Sequence, residues 1–245
     1  MSIRTRKIRV SSLTVDTIRK DIKNIHLGVY PPDGYVRISA PLKTSDEKIR
    51  LLVISKMRWI KRQQRIFRNQ ERQERREYVS GESHYLLGRR YRLNVINTDS
   101  KPKIEIKRKT HIDLHISKKS SIQKRESVFE KFYRSEMDKL VPSLIKKWQD
   151  KVGVKANEIR FRKMKTKWGT CNIDDKRIWL NLELAKKPRK CLDYVILHEL
   201  VHLIEKNHSE KFMDVLESVM PNWSSVKDEL NMYPLGYANW NCVIR

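Results

Sequence analysis

The sequence predicts an α+β protein, with a β-rich N-terminal module over residues 1–118 and a helical module with a small sheet over residues 119–245. Three observations carry this. The first forty residues alternate apolar and polar positions between turn signals, and four strand-like runs follow between 85 and 117, the last two alternating well. The period then changes to helical spacing over 123–151 and again from 188 onward. Between the two halves, SKKSSIQK at 117–124 is the most linker-like run in the chain.

Taken in order, IRVSSLTV (8–15), IHLGVY (25–30) and YVRISA (35–40) read as strands, and PPDG at 31–34 as a turn. Thr44 and Glu47 have the spacing of a capping box. They predict one long helix to about residue 76, with Ile49, Leu52, Val53, Met57, Ile60 and Phe67 inward. Its second half, WIKRQQRIFRNQERQERRE, is rich in arginine. YLLG, RYRLNVI, KIEIKRK and HIDLHIS read as strands, with KTH at 109–111 as a hairpin turn. A helix over 123–151 should bury Val128, Phe132, Met137, Leu140 and Leu144, with a kink at Pro142. EIRFRKM and RIWLNLEL read as strands. Pro188 starts a helix, Ser209 caps another, and Pro221 starts a last one. Tyr233, Tyr237 and Trp240 are expected to cover the core. No internal repeat is visible.

Of 245 residues, 34% are charged and 39% hydrophobic, with a formal net charge of +25. That excess favours polyanionic partners and suits nucleic acid bound along Arg58–Arg76 and the N-terminal RTRKIR. A solvated basic surface is the plain alternative. Three cysteines (Cys171, Cys191, Cys242) are too few for a disulfide framework and fit a reducing compartment. The apolar runs at 51–54 and 194–197 are too short to span a bilayer, and no apolar segment follows the basic N-terminus. These features predict a cytoplasmic protein with no membrane partner.

Three of the seven histidines fall within HELVHLIEKNH, residues 198–208. On a helix, His198 and His202 are one turn apart and about 40° apart in azimuth, so both imidazoles reach one ion. Glu199 beside them can take a proton from water. Zinc suits two neutral imidazoles, and a catalytic zinc site adds a third protein ligand. His208 has the spacing of that ligand in H-E-x-x-H-x5-H sites, although Glu205 stands where such sites have glycine. Glu210, Glu217 and Asp214 on the following helix are the competing third ligands. The alternative to a metal site is an amphipathic helix with partly exposed histidines.

WGTC at 168–171 can rim a cleft, with Gly169 admitting substrate backbone and the preceding strand offering an edge. Equally, Trp168 can be a core aromatic, and Cys171 reads as a buried small residue. Cys191 reads as packing. His26, His84, His111 and His115 have no ligand spacing. A tyrosine reaching across to an oxyanion is the less favoured possibility.

These residues resemble the YgjP-like metallopeptidases, small bacterial and archaeal zinc-peptidase-like proteins near the SprT-like and minigluzincin-type enzymes. The match runs through Trp168-Gly169-Thr170-Cys171, Asp193-Tyr194-Val195, His198 to His202, Asn207-His208-Ser209 and Pro221-Asn222-Trp223. It extends into the N-terminal part through ISAPLKTSDEKI, MRWIKRQ and GESHYLLGRRYRLNV. The resemblance implies a zincin-like catalytic module and Zn²⁺ held by His198, His202 and His208. It also implies Glu199 as the catalytic carboxylate and a peptide or protein substrate. Three functions are compatible with these readings: a zinc peptidase, a nucleic-acid-associated protein such as a protease acting on DNA-bound proteins, and a structural zinc domain without catalysis.

Overall fold

The structure is a computed structural model that describes residues 4–30, 34–69, 76–164 and 167–233. The chain divides into two compact units, one up to residue 72 and one over residues 73–237.

The first unit is a four-stranded sheet backed by two helices. The strands are β1 (Arg4–Val10), β2 (Leu13–Lys20), β3 (His26–Tyr30) and β4 (Tyr35–Pro41), in the order β1-β2-β4-β3. The expected strand over 8–15 is instead a hairpin. Ser11, in the left-handed region at φ 55°, turns the chain between β1 and β2. β2 pairs parallel with β4, which pairs antiparallel with β3. Alternation puts Ile8, Val10, Val15, Val36, Ile38 and Ala40 on one face, where they meet Ile49, Val53 and Ile60.

The long helix is broken. α1 (Asp46–Ser55) ends at Lys56, and α2 (Met57–Asn69) begins one residue later. The cap is Ser45, whose hydroxyl accepts from the Lys48 amide, rather than Thr44, whose amide donates to the Pro41 carbonyl. The turn residues 31–33, the end of the basic helix beyond Asn69, Tyr237, Trp240 and Cys242 lie outside the described residues, as does the Phe67 side chain.

The second unit opens with β5 (Ser83–Leu86), β6 (Arg89–Asn97), β7 (Lys103–Lys107) and β8 (His111–Ile116). Their order, β5-β6-β8-β7, and their pairing directions reproduce those of β1 to β4. Each sheet also leads into a serine-capped helix, Ser45 for α1 and Ser121 for α3 (Ile122–Val152). A repeat invisible in the residues is therefore present in the topology. The β7–β8 turn rests on Arg108 and Lys109, both at positive φ.

α3 runs through Pro142 without interruption. It buries Phe129, Tyr133, Met137, Val141, Leu144, Ile145 and Trp148. Val128, Phe132 and Leu140 are only partly buried, so the inward stripe is rotated from the expected one. Leu86, Tyr91, Leu93, Ile112, Leu114 and Ile116 belong to this same core. This shared burial is why the units divide near residue 72 instead of at 118: the 117–124 run joins a sheet to the helix it packs on.

The remaining elements are β9 (Glu158–Arg162), β10 (Gly169–Asn172), β11 (Arg177–Asn181), a 3-10 turn (Leu182–Lys186), α4 (Arg189–Val201), α5 (Glu210–Val219) and α6 (Trp223–Met232). The three strands form a sheet in the order β10-β11-β9, with β10 at an edge. No helix among the described residues is long and apolar enough to cross a membrane.

Candidate active site

α4 is the element that positions the site. Cys191, Leu192, Ile196, Leu197, Leu200 and Val201 are fully buried around it, so its orientation is fixed by the core of the second unit. The helix stops at His202. Turn hydrogen bonds from the Leu203, Ile204 and Glu205 amides to the Leu200 and Val201 carbonyls then redirect the chain. No residue from 202 to 209 has a positive φ, so this turn needs no glycine at position 205. Ser209 caps α5 by accepting from the Phe212 amide.

The turn brings His208 back to the other two histidines. Nε2 of His208 lies 3.0 Å from Nε2 of His198, and one nitrogen from each of the three rings falls within 4.8 Å of the others. Tetrahedral zinc, with nitrogens at 2.0–2.1 Å, separates its ligand atoms by roughly 3.4 Å. The donor set suits such an ion. Nδ1 of His202 donates to the Glu205 carbonyl at 3.2 Å, which leaves the lone pair on Nε2. Burial and the neighbouring imidazoles push His198 down to about 3, and burial lowers His202. Both are neutral near pH 7, as ligation requires.

The competing ligands are not gathered there. Glu217 accepts from the Trp223 indole at 2.6 Å, and Glu210 and Asp214 are exposed. Among the described residues, the three histidines are the group whose donor atoms converge.

Glu199 is 6% exposed, and burial pushes its carboxyl up to about 7, with Lys167 opposing the shift. It lies in a cleft of about 490 Å³ whose walls include Trp168, Gly169, Thr170, Cys171, Tyr194 and the three histidines. Gly169 has a more immediate task than admitting substrate. A Cβ there would sit 2.6 Å from Glu199 Oε1 and 2.7 Å from its Cγ, so only glycine leaves room for this carboxylate. Trp168 lines the cleft and packs on the core, which joins both of its expected roles. Cys171 is only half-buried and lines the cleft, whereas Cys191 is fully buried packing. His84 stacks on Phe129 at 4.4 Å in the core, away from the cleft.

Three further residues shape the site, and of these only Tyr194 entered the sequence reading, through the resemblance. Phe212 is fully buried, with its ring within 5.0 Å of all three imidazole centroids. Tyr194, one turn before His198, has its hydroxyl 3.5 Å from His198 Nδ1, and its i−4 spacing is a usable signal. Asn181, 2% exposed, ties Met164 and Lys167, the latter lining the cleft. Its amide nitrogen donates to the Met164 and Lys167 carbonyls at 2.9 and 2.8 Å, and its oxygen accepts from the Met164 and Glu183 amides.

The family model for the YgjP-like metallopeptidase domain matches residues 23–233. The chain belongs to this family. Metallopeptidase chemistry, with a divalent metal implied, is therefore the coarse activity of this YgjP-like protein. Among solved structures, the zymogen of Pyrococcus abyssi abylysin is 23% identical with a TM-score of 0.36, covering 37% of this chain and 91% of that one. The zymogen of Methanocaldococcus jannaschii jannalysin is 22% identical with a TM-score of 0.34, covering 37% and 92%. No curated protein matches the YgjP-like chain.

Proposed function

We propose that this YgjP-like protein is a zinc-dependent peptidase that cleaves protein or peptide substrates, with His198, His202 and His208 as ligands and Glu199 as the general base. The observation that carries the reading is the convergence of three imidazoles in a cleft that also holds a buried carboxylate. A zinc ion bound there supplies Lewis acidity toward water and the scissile carbonyl.

The protein's own groups do the rest. Glu199 takes a proton from the attacking water as its oxygen bonds to the carbonyl carbon, then gives that proton to the amine nitrogen as the C–N bond breaks. Its raised pKa near 7 keeps proton uptake and release close in energy. The ion's positive charge, when present, would draw that value down. Tyr194, beside His198, orients that ring. β10 pairs with β11 on one side, and its other edge has no strand partner among the described residues. An extended substrate can add there by backbone hydrogen bonds, with Trp168 and Gly169 at its start.

A purely structural zinc site is less favoured. A buried Glu199 that makes no ion pair among the described residues costs stability, which a site serving only to hold an ion does not call for. The test is Glu199→Gln. Zinc should remain bound while turnover of a protein substrate falls by roughly 10³-fold. Retained turnover would defeat the mechanism, and coincident loss of zinc would make Glu199 a ligand or a structural support.

A further inference from the structure

Every residue that lines the cleft belongs to the second unit, so the catalytic reading leaves the first unit without a task. That unit is where positive charge concentrates. Residues 1–72 hold 18 Lys and Arg against six Asp and Glu, a net +12 of the chain's +25. One of its acids, Asp46, is already engaged by Arg6 and Arg19.

α2 presents the rest in order. Its thirteen residues, MRWIKRQQRIFRN, contain no acid. Arg58, Lys61, Arg62, Arg65 and Arg68 are all exposed, and none is paired with a carboxylate among the described residues. At about 100° per residue they occupy an arc of roughly 120°, and at about 1.5 Å per residue they extend over about 15 Å. Like charges three and four residues apart destabilise a helix. A helix needing only solubility interleaves acids, as α3 does with Glu126, Glu130, Glu136, Asp138 and Asp150.

The stripe is held in a fixed orientation. Ile60 on the opposite side of α2 is fully buried in the first unit's core. The Gln64 amide donates to the Gly34 carbonyl at 2.8 Å, tying the helix to the β3–β4 turn. A Cβ at Gly34, where φ is +71°, would meet the Gln64 backbone at 3.0 Å, so the turn and helix are in close contact.

We propose that the exposed stripe of α2, Arg58 to Arg68, binds the phosphate backbone of a nucleic acid. Four of the five cations are arginine, whose planar fork matches phosphate oxygens. The stripe spans roughly four to five base-pair rises of about 3.4 Å. Trp59, 42% exposed beside Arg58, adds a ring on which an unpaired base can stack. A lipid surface is the poorer fit. Helices that lie in a membrane interface insert their apolar face, and here Ile60 of that face is buried in the unit's own core.

The test uses the full chain and labelled DNA of about 20 nucleotides, as single strand and as duplex, with affinity measured from about 50 to 300 mM salt. Lys61→Gln/Arg62→Gln/Arg65→Gln is compared with Lys118→Gln/Lys119→Gln/Lys124→Gln, which removes three exposed charges from the second unit. Glutamine keeps helix propensity close to that of lysine and arginine, and circular dichroism checks the fold of both variants. The stripe variant should lower the slope of log affinity against log salt by about 2 to 3 and weaken binding at low salt roughly tenfold or more. The control should keep the wild-type slope. No binding of either DNA at low salt overturns the proposal. Equal losses in both variants overturn it too, since net charge alone would then explain binding. Binding to phosphatidylserine vesicles but not to DNA, lost in the stripe variant, would assign the surface to membranes instead.

Discussion

The two four-stranded sheets share order and pairing directions, and each feeds a serine-capped helix, yet the helices end in opposite roles. After β5 to β8, α3 continues for 31 residues and buries Val141, Leu144, Ile145 and Trp148 in the core that also holds α4. After β1 to β4, the helix breaks at Lys56, and its second part buries Ile60 but turns Arg58, Lys61, Arg62, Arg65 and Arg68 to solvent. The template is the same up to the first helical turns, where Val53 and Phe129 each face their own sheet's core. The second half of each helical segment decides the outcome. An apolar second half builds a platform for catalysis, and a cationic one leaves a charged surface.

If catalysis belongs to the second unit alone, the largest effect is Glu199→Gln, with turnover down roughly 10³-fold and zinc retained. Gly169→Ala comes next. Its methyl would occupy the space of the Glu199 carboxylate, so turnover should fall about 10²-fold, with far-ultraviolet circular dichroism unchanged. Chelating zinc should reduce hydrogen-exchange protection in α4 and α5 and leave β1 to β4 as they were. Equal loss in both units would break the comparison.

The pH dependence of the metal-free protein sharpens it further. Glu199 is raised from 4.5 to about 7, so its contribution is full below pH 4.5 and is lost as pH rises through 7. His198 is lowered from 6.5 to about 3, so its contribution is full above pH 6.5 and is lost as pH falls toward 3. Metal-free Glu199→Gln should therefore be more stable than wild type at pH 8, by at most about 3 kcal/mol. The gap should close by pH 4.5 in denaturant titrations. The smallest effect belongs to the first unit. The Lys61, Arg62, Arg65 glutamine variant should keep turnover of a short peptide within about twofold of wild type.

How far the sequence reveals this molecule depends on the range of the interaction. His198, Glu199 and His202 are legible because one helical turn brings them together, and His208 because a short turn suffices. The turn itself is less legible, since it closes through His202 and Glu205 without the glycine that usually marks it. Asn181 and Phe212 act across distant segments, so their neighbours in sequence say nothing of the carbonyls or the rings they meet. The α+β class is legible from periodicity, but the unit boundary is not. A polar run at 117–124 resembles a linker while serving as a sheet-to-helix junction, and the division near residue 72 falls in a stretch that reads as continuous helix.

The zinc content of the tag-free chain tests the central claim most directly. About one zinc per chain is predicted, with little or none in His202→Ala under the same handling. A wild-type chain that carries no zinc, and takes up none after dialysis against it, would contradict the account.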